Sequence, residues 1–258
     1  MTTVSPQTTT GSPDAPAVDH TGSRGTRILG MVALATSVLA AIMGLITSKP
    51  DVVQDDAVRL FYVHVPAVSL MYLPVGIAAL ASVMWLRKRT DGWDALAVAS
   101  VDLATVLVGI GLITGALWGR ITWGTFWTWD ARLTSTALLF LLLLGYQAVR
   151  RYPTTAEARS RMSAVVGVLL VPNALIVHYS VSWWRSLHQE STLKKLDPEI
   201  GGSQLSAYAV AQLAFALIFA WLLIHRFRVA WLEIQAERRA VDDAIADRSA
   251  DADTSGGI

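Results

Sequence analysis

The chain reads as long apolar runs separated by short polar stretches. Six runs, at 28–47, 66–86, 95–118, 133–149, 162–181 and 204–225, carry almost no charge. A helix needs about 20 apolar residues to cross the hydrocarbon core, so each run predicts one crossing. The pattern therefore predicts an all-α polytopic membrane protein with six transmembrane helices. An even number of crossings returns both ends to one side. Short cytoplasmic loops collect Lys and Arg, which selects that side. Near the spans, the segments that share a side with the termini hold thirteen Lys and Arg, and the opposite segments hold seven. Both termini are thus expected to be cytoplasmic, with 48–65, 119–132 and 182–203 facing outward.

Outside the runs the pattern changes. Residues 1–27 are rich in Thr, Ser, Pro, Gly and Asp, a composition that cannot bury a core, and they are expected to form a disordered cytoplasmic tail. The first apolar run is long enough to span, so it is expected to stay as a helix rather than be cleaved as a signal. Residues 28–225 make the membrane domain, and 226–258 a cytoplasmic C-terminal tail. Within that tail Leu232–Ala246 can form a short helix, and Ser249–Ile258 is expected to be loose.

Composition sharpens this picture. Of 258 residues, 53% are hydrophobic and 16% charged, the latter well below the roughly 25% of soluble domains. The mean hydropathy is +0.45. A net charge of +1 leaves no global field to draw nucleic acid. There is no cysteine, which excludes disulfides, thiolate metal sites and thiol catalysis. Gly109, Gly111 and Gly115 in the third run read as a close helix-packing face. Asp102 in the same run reads either as a partner or water contact or as a residue near the cytoplasmic end.

The unusual residues lie in the outward loops. Trp118, Trp123, Trp127 and Trp129 fall within thirteen residues, with Phe126 among them and Asp130 at the end. One or two tryptophans per helix end would make an interfacial belt; this density suits a platform for a large flat ligand. Trp123 and Trp127 are four apart, so a helical turn would put them on one face. Asp130 reads as an N-cap of the fourth span, which leaves room for a second role.

Five histidines divide by position. His20 lies in the tail, His225 at a cytoplasmic helix end, and His178 inside the fifth span. His64 and His188 lie at outward helix ends, one on each side of the aromatic loop. They read either as solvated interface residues or as a pair of ligands from flanking segments, the arrangement six-coordinate bis-histidine heme requires. Pro66 suits the first turn of the second helix, so His64 is expected just before it. Trp184 would share a face with His188 if that stretch were helical. Arg120, Arg132, Arg185 and Lys194 lie on the same side and can pair with propionates.

These residues resemble a known group. The stretch Trp123-Gly124-Thr125-Phe126-Trp127-Thr128-Trp129-Asp130-Ala131-Arg132-Leu133-Thr134-Ser135 is similar to the tryptophan-rich "WWD" signature of heme-handling membrane proteins. It resembles most the heme exporter protein C (CcmC) branch of cytochrome c-type biogenesis. In heme lyases the Asp is typically followed by Pro; here Ala131-Arg132-Leu133-Thr134 follows. Tyr62-Val63-His64-Val65-Pro66-Ala67 and His178-Tyr179-Ser180-Val181-Ser182-Trp183-Trp184-Arg185-Ser186-Leu187-His188-Gln189 agree in the same order. The similarity covers about 28–225. Phe126 stands where Trp is usual and Glu190 where Gly is common, and neither is a ligand position.

The resemblance implies heme transfer without catalysis, in a multi-pass protein of the bacterial inner (plasma) membrane. His64 and His188 would be axial ligands to heme b, and Trp118, Trp123, Trp127, Trp129 and Asp130 the platform, with Arg132 and Trp184 beside them. Heme would pass to a membrane-anchored chaperone of CcmE type. An ABC transporter pair of CcmA and CcmB type and a small CcmD-type membrane protein would complete the assembly in the bilayer. Two other readings stay open: a cytochrome c heme lyase, and a b-type membrane cytochrome, which would want histidine pairs inside the spans.

Overall fold

The computed structural model describes residues 22–51, 54–152, 155–188 and 202–255. Among them are seven α-helices and no strand; Asp51 and Asp55 form one isolated bridge. Helix α1, Arg24–Ala41, continues as a wider π turn over Ile42–Thr47. A 3-10 turn, Asp56–Leu60, leads into α2, Phe61–Leu70, then α3, Tyr72–Lys88. Then follow α4, Asp91–Thr122; α5, Ala131–Arg151; α6, Ala156–Trp183; and α7, Gly202–Ser255. Six helical units are long and apolar enough to cross a membrane, with α2 and α3 sharing one of them.

Every helix overruns its apolar window. The core is about 30 Å thick, while the 32 residues of α4 make about 48 Å at 1.5 Å each. The extra turns carry polar residues past the bilayer and place the chemistry at the helix ends. Two expectations fail here. His64 is not ahead of its helix: α2 begins at Phe61, so His64 lies in its first turn and Pro66 inside it. Ser249–Ser255 is not loose, because α7 continues unbroken to Ser255; the last three residues lie outside the described ones. A helix already nucleated by a long apolar span propagates into a polar extension at little cost. Residues 1–21, holding most of the expected tail and His20, lie outside the described residues, as do Lys194 and Lys195.

Local chemistry sets the boundaries. Ser23, Asp130 and Thr155 each cap a helix start by accepting a backbone N–H three residues on. The α2–α3 break at Met71 has a proline cause. Pro74 has no N–H for the Leu70 carbonyl four residues back, and its ring crowds that carbonyl.

In lipid there is no hydrophobic drive between helices, so small residues that allow close approach decide the packing. The core is built that way, from Ala67, Ala78, Ala81, Val101, Ala104, Leu139, Leu143 and Leu170. A Cβ at Gly167 of α6 would stand 2.1 Å from the Ser82 hydroxyl of α3, so only glycine fits there. The expected glycine face of α4 is present in part. Gly111 admits Val68 and Gly115 admits His64, each leaving under 3 Å for a Cβ, whereas Gly109 meets Phe140 at an ordinary distance.

The two ends of the bundle differ. The end bearing the termini is laced with ion pairs: Asp94 with Arg150 and Asp102 with Arg226, both at 2.6 Å, then Arg159 with Glu237 and Arg238 with Asp91. Asp102 thus has an arginine partner and sits toward that end. The opposite end is aromatic and holds one described ion pair, Asp56 with Arg59.

Candidate functional site

Helix α2 approaches α4 so closely that His64, only 9% exposed, lies over Gly115. A Cβ on that glycine would come 2.9 Å from the imidazole Cε1. One position earlier, the Thr114 oxygen lies 3.0 Å from His64 Nδ1. The Thr114 hydroxyl spends its single proton on the Ile110 carbonyl, 2.6 Å away on its own helix. It must therefore accept from the ring, so the proton of neutral His64 is on Nδ1 and the lone pair is on Nε2. One turn further along α4, Trp118 meets the same imidazole edge-on, with centroids 5.7 Å apart. Gln54 of the preceding loop receives the Trp118 indole N–H at 2.7 Å, and Phe61 closes the far side. Thr114, Gly115, Gln54 and Phe61 were not singled out in the sequence. The signal was there for Thr114, which is four residues before Trp118 and so on its face.

The aromatic loop is not helical. α4 ends at Thr122, Gly124 takes a left-handed turn at φ 77°, and the chain is irregular to Asp130. Glycine at that turn frees the loop from continuing α4. The expected shared face of Trp123 and Trp127 is therefore absent. Trp123 turns edge-on to His188 at 5.1 Å, while Trp127 meets Trp129 at 5.7 Å. Trp127 Nε1 is buried without a hydrogen-bond partner among the described residues. Trp129 projects outward, 84% exposed, and Trp184 is also exposed. The expected helical face of Trp184 and His188 is absent too, because α6 stops at Trp183 and 184–188 are irregular.

Asp130 joins the two halves. One carboxylate oxygen caps α5 by accepting the Leu133 N–H at 2.8 Å. The other accepts from the Ser186 hydroxyl and, at 3.2 Å, from the Leu187 N–H. Ser186 in turn accepts the His188 N–H at 3.0 Å. Partial burial opposes ionisation of Asp130. The bonds from Leu133 and Ser186 and the nearby His188 outweigh it and hold the carboxyl below the usual range. The cap and the site are thus served by one side chain. A shallow cleft of about 400 Å³ lies against Trp129, Asp130 and Arg185–Leu187, and neither imidazole lines it.

Burial pushes the His188 imidazole down to about 4, helped by the Arg132 guanidinium and opposed by Asp130. Its Nδ1 is buried without a partner among the described residues. Arg132 is anchored on α6, donating to the His178 carbonyl at 3.2 Å and to the Ser180 hydroxyl at 3.4 Å. His188 and Arg132 are both near enough to His64 to act on it electrostatically. The structure thus gathers His64, His188, Trp118, Trp123, Asp130 and Arg132 at one end of the bundle. Trp127 lies beside them, and Trp129 and Trp184 point away. His178 faces Tyr72 and Tyr179 edge-on.

Comparison with known proteins agrees with the layout. A family model described as heme exporter protein C (CcmC) matches residues 12–242. The heme exporter protein C of Bradyrhizobium diazoefficiens is 36% identical over 202 residues, covering 77% of this chain and 75% of the relative. That of Haemophilus influenzae is 30% identical, covering 76% and 80%. That of Escherichia coli K12 is 33% identical, covering 80% and 84%.

Proposed function

The chain belongs to the heme exporter protein C family, and on that premise we propose that it holds heme between His64 and His188 and passes it to a membrane-anchored acceptor. As a family member it is a heme-transport component of cytochrome c biogenesis, not an enzyme. The heme is the cargo, of b type. The acceptor is a chaperone of CcmE type, and the working assembly includes ABC subunits of CcmA and CcmB type and a CcmD-type protein. The site faces outward and the termini lie in the cytoplasm, in a bacterial inner membrane.

One observation carries this reading: an imidazole on α2 and a second just past the end of α6 lie against neighbouring indoles, Trp118 and Trp123, within electrostatic reach of one guanidinium, that of Arg132. The donor chemistry fits the cargo. Among the described residues no group of three or more His, Asp or Glu could hold a bare metal ion. Two imidazoles alone suit an iron whose other four positions are already filled by a macrocycle. The flat apolar faces of Trp118 and Trp123 suit the porphyrin, and Arg132 a propionate.

The test is heme retention in His64→Ala and His188→Ala proteins purified in detergent, read by the Soret and α/β bands. Each single change is expected to weaken retention, and the double change to abolish the six-coordinate low-spin spectrum while leaving membrane insertion intact. A normal spectrum in the double variant would defeat the assignment. Covalent loading of a co-expressed acceptor chaperone then separates transfer from a lyase activity, which would load apocytochrome instead.

A further inference from the structure

Taking His64 and His188 as heme ligands, as above, we propose that they are not equivalent: Thr114 locks His64 as the retained ligand, and His188 is the ligand that leaves first when heme passes to the acceptor. The difference lies in how each ring is held.

His64 is on a helix, buried, and pressed onto Gly115. Its Nδ1–H is tied through the Thr114 hydroxyl to the Ile110 carbonyl of α4. That relay fixes the tautomer and ring direction, and a bonded Nδ1–H makes Nε2 the more basic donor. His188 has neither device. It follows the end of α6 in an irregular stretch, and its Nδ1 meets no partner among the described residues. Its ring rests on Trp123, and its backbone hangs from Ser186, itself held by Asp130. Swinging His188 away breaks a ring contact and loop hydrogen bonds; swinging His64 away requires two packed helices to part.

The exchange balances simply. The iron–nitrogen bond to His188 breaks and one from iron to an incoming neutral ligand forms, each ligand a two-electron donor. No electron or proton changes hands, and His64 keeps the opposite axial position until the new bond is made. Thr114 acts through His64 and is a positioning residue.

The experiment uses full-length, heme-loaded protein in detergent, free imidazole as the exchanging ligand and excess apomyoglobin as the heme trap. Thr114→Val keeps the shape but cannot accept the Nδ1–H. It is expected to speed heme loss to apomyoglobin by about tenfold or more without changing the rate at which imidazole first displaces a ligand. Thr114→Ser should restore the slow loss. Ser186→Ala should do the reverse and speed only the first displacement. In the heme-free protein, ¹⁵N-histidine NMR should show the proton on Nδ1 for the signal absent from His64→Ala, and Thr114→Val should lose that preference. Unchanged heme loss and an unchanged tautomer in Thr114→Val would overturn the proposal. So would a Thr114→Val protein whose first displacement quickens as much as its heme loss, because the two ligands would then be alike. Either result leaves bis-histidine binding standing; a normal spectrum in the protein carrying both His64→Ala and His188→Ala is what removes that reading itself.

Discussion

The two ends of this bundle solve opposite problems with the same six helices. At the end bearing the termini, charges from four helices are paired across the bundle, so the network clamps spans that lipid would not drive together. At the other end the described polar groups are left with spare capacity. His188 Nδ1 and Trp127 Nε1 are buried and lack protein partners among the described residues. Among the described residues, buried hydroxyls without a partner also occur at the paired end, on Ser100 and Tyr146; what sets the aromatic end apart is that its unpaired ring nitrogens lie among the imidazoles and indoles of the proposed heme site. Stability and binding are spatially divided here. Substitutions should therefore separate them.

The largest expected effect is on stability at the paired end. Asp94 is 5% exposed, bonded to Arg150 at 2.6 Å and to the Ser160 hydroxyl at 2.8 Å. Asp94→Ala strands Arg150 and should cost about 3–5 kcal/mol, read as a lower midpoint of thermal inactivation in detergent. Asp94→Ala with Arg150→Met should recover much of that loss, while the heme spectrum of the folded fraction stays normal. A changed spectrum would break the division between the ends.

A smaller effect is expected from Gly115→Ala at the aromatic end. The added methyl would stand 2.9 Å from His64, and overpacking of this kind costs about 1–3 kcal/mol. Because the ring must move, heme affinity should fall more than thermal stability. Gly76→Ala, with open space around its Cβ, is the control.

The smallest effect concerns pH. His188 is shifted down to about 4, so it stays neutral, and able to ligate, well below the ordinary value near 6.5. Its folded form resists protonation that the unfolded chain accepts below about 6.5, so falling pH through that window costs folding stability. Heme retention should nonetheless be flat from neutral pH to about 5 and fall only as pH nears 4. A spectral inflection near 6.5 would place His188 in water.

Much of this was legible from residues alone. The six crossings follow from run length, because backbone groups in lipid must be satisfied within a helix. Asp130 was readable as a cap because the residue type and its place before an apolar run suffice. The histidine pair and the indoles were readable as types on one side of the membrane. Less legible were Thr114, Gly115 and Ser186. A threonine and a glycine inside an apolar run look like any others until a second helix is laid against them, and Ser186 gains its role only when Asp130 comes within reach.

Run lengths and residue types alone settle how many times the chain crosses, that Asp130 caps a helix start, and which side groups of the right chemistry lie at one end of the bundle. Only the tertiary structure decided that Trp123 serves His188 and not Trp127, that His64 carries its proton on Nδ1, and that Asp102 finds Arg226 124 positions along the chain. The reason is the range of the forces. Hydrophobic period and capping act within a few residues of one helix. Tautomers, ion pairs and ring contacts depend on which helices pack together, and that is set by small residues spread over the whole chain.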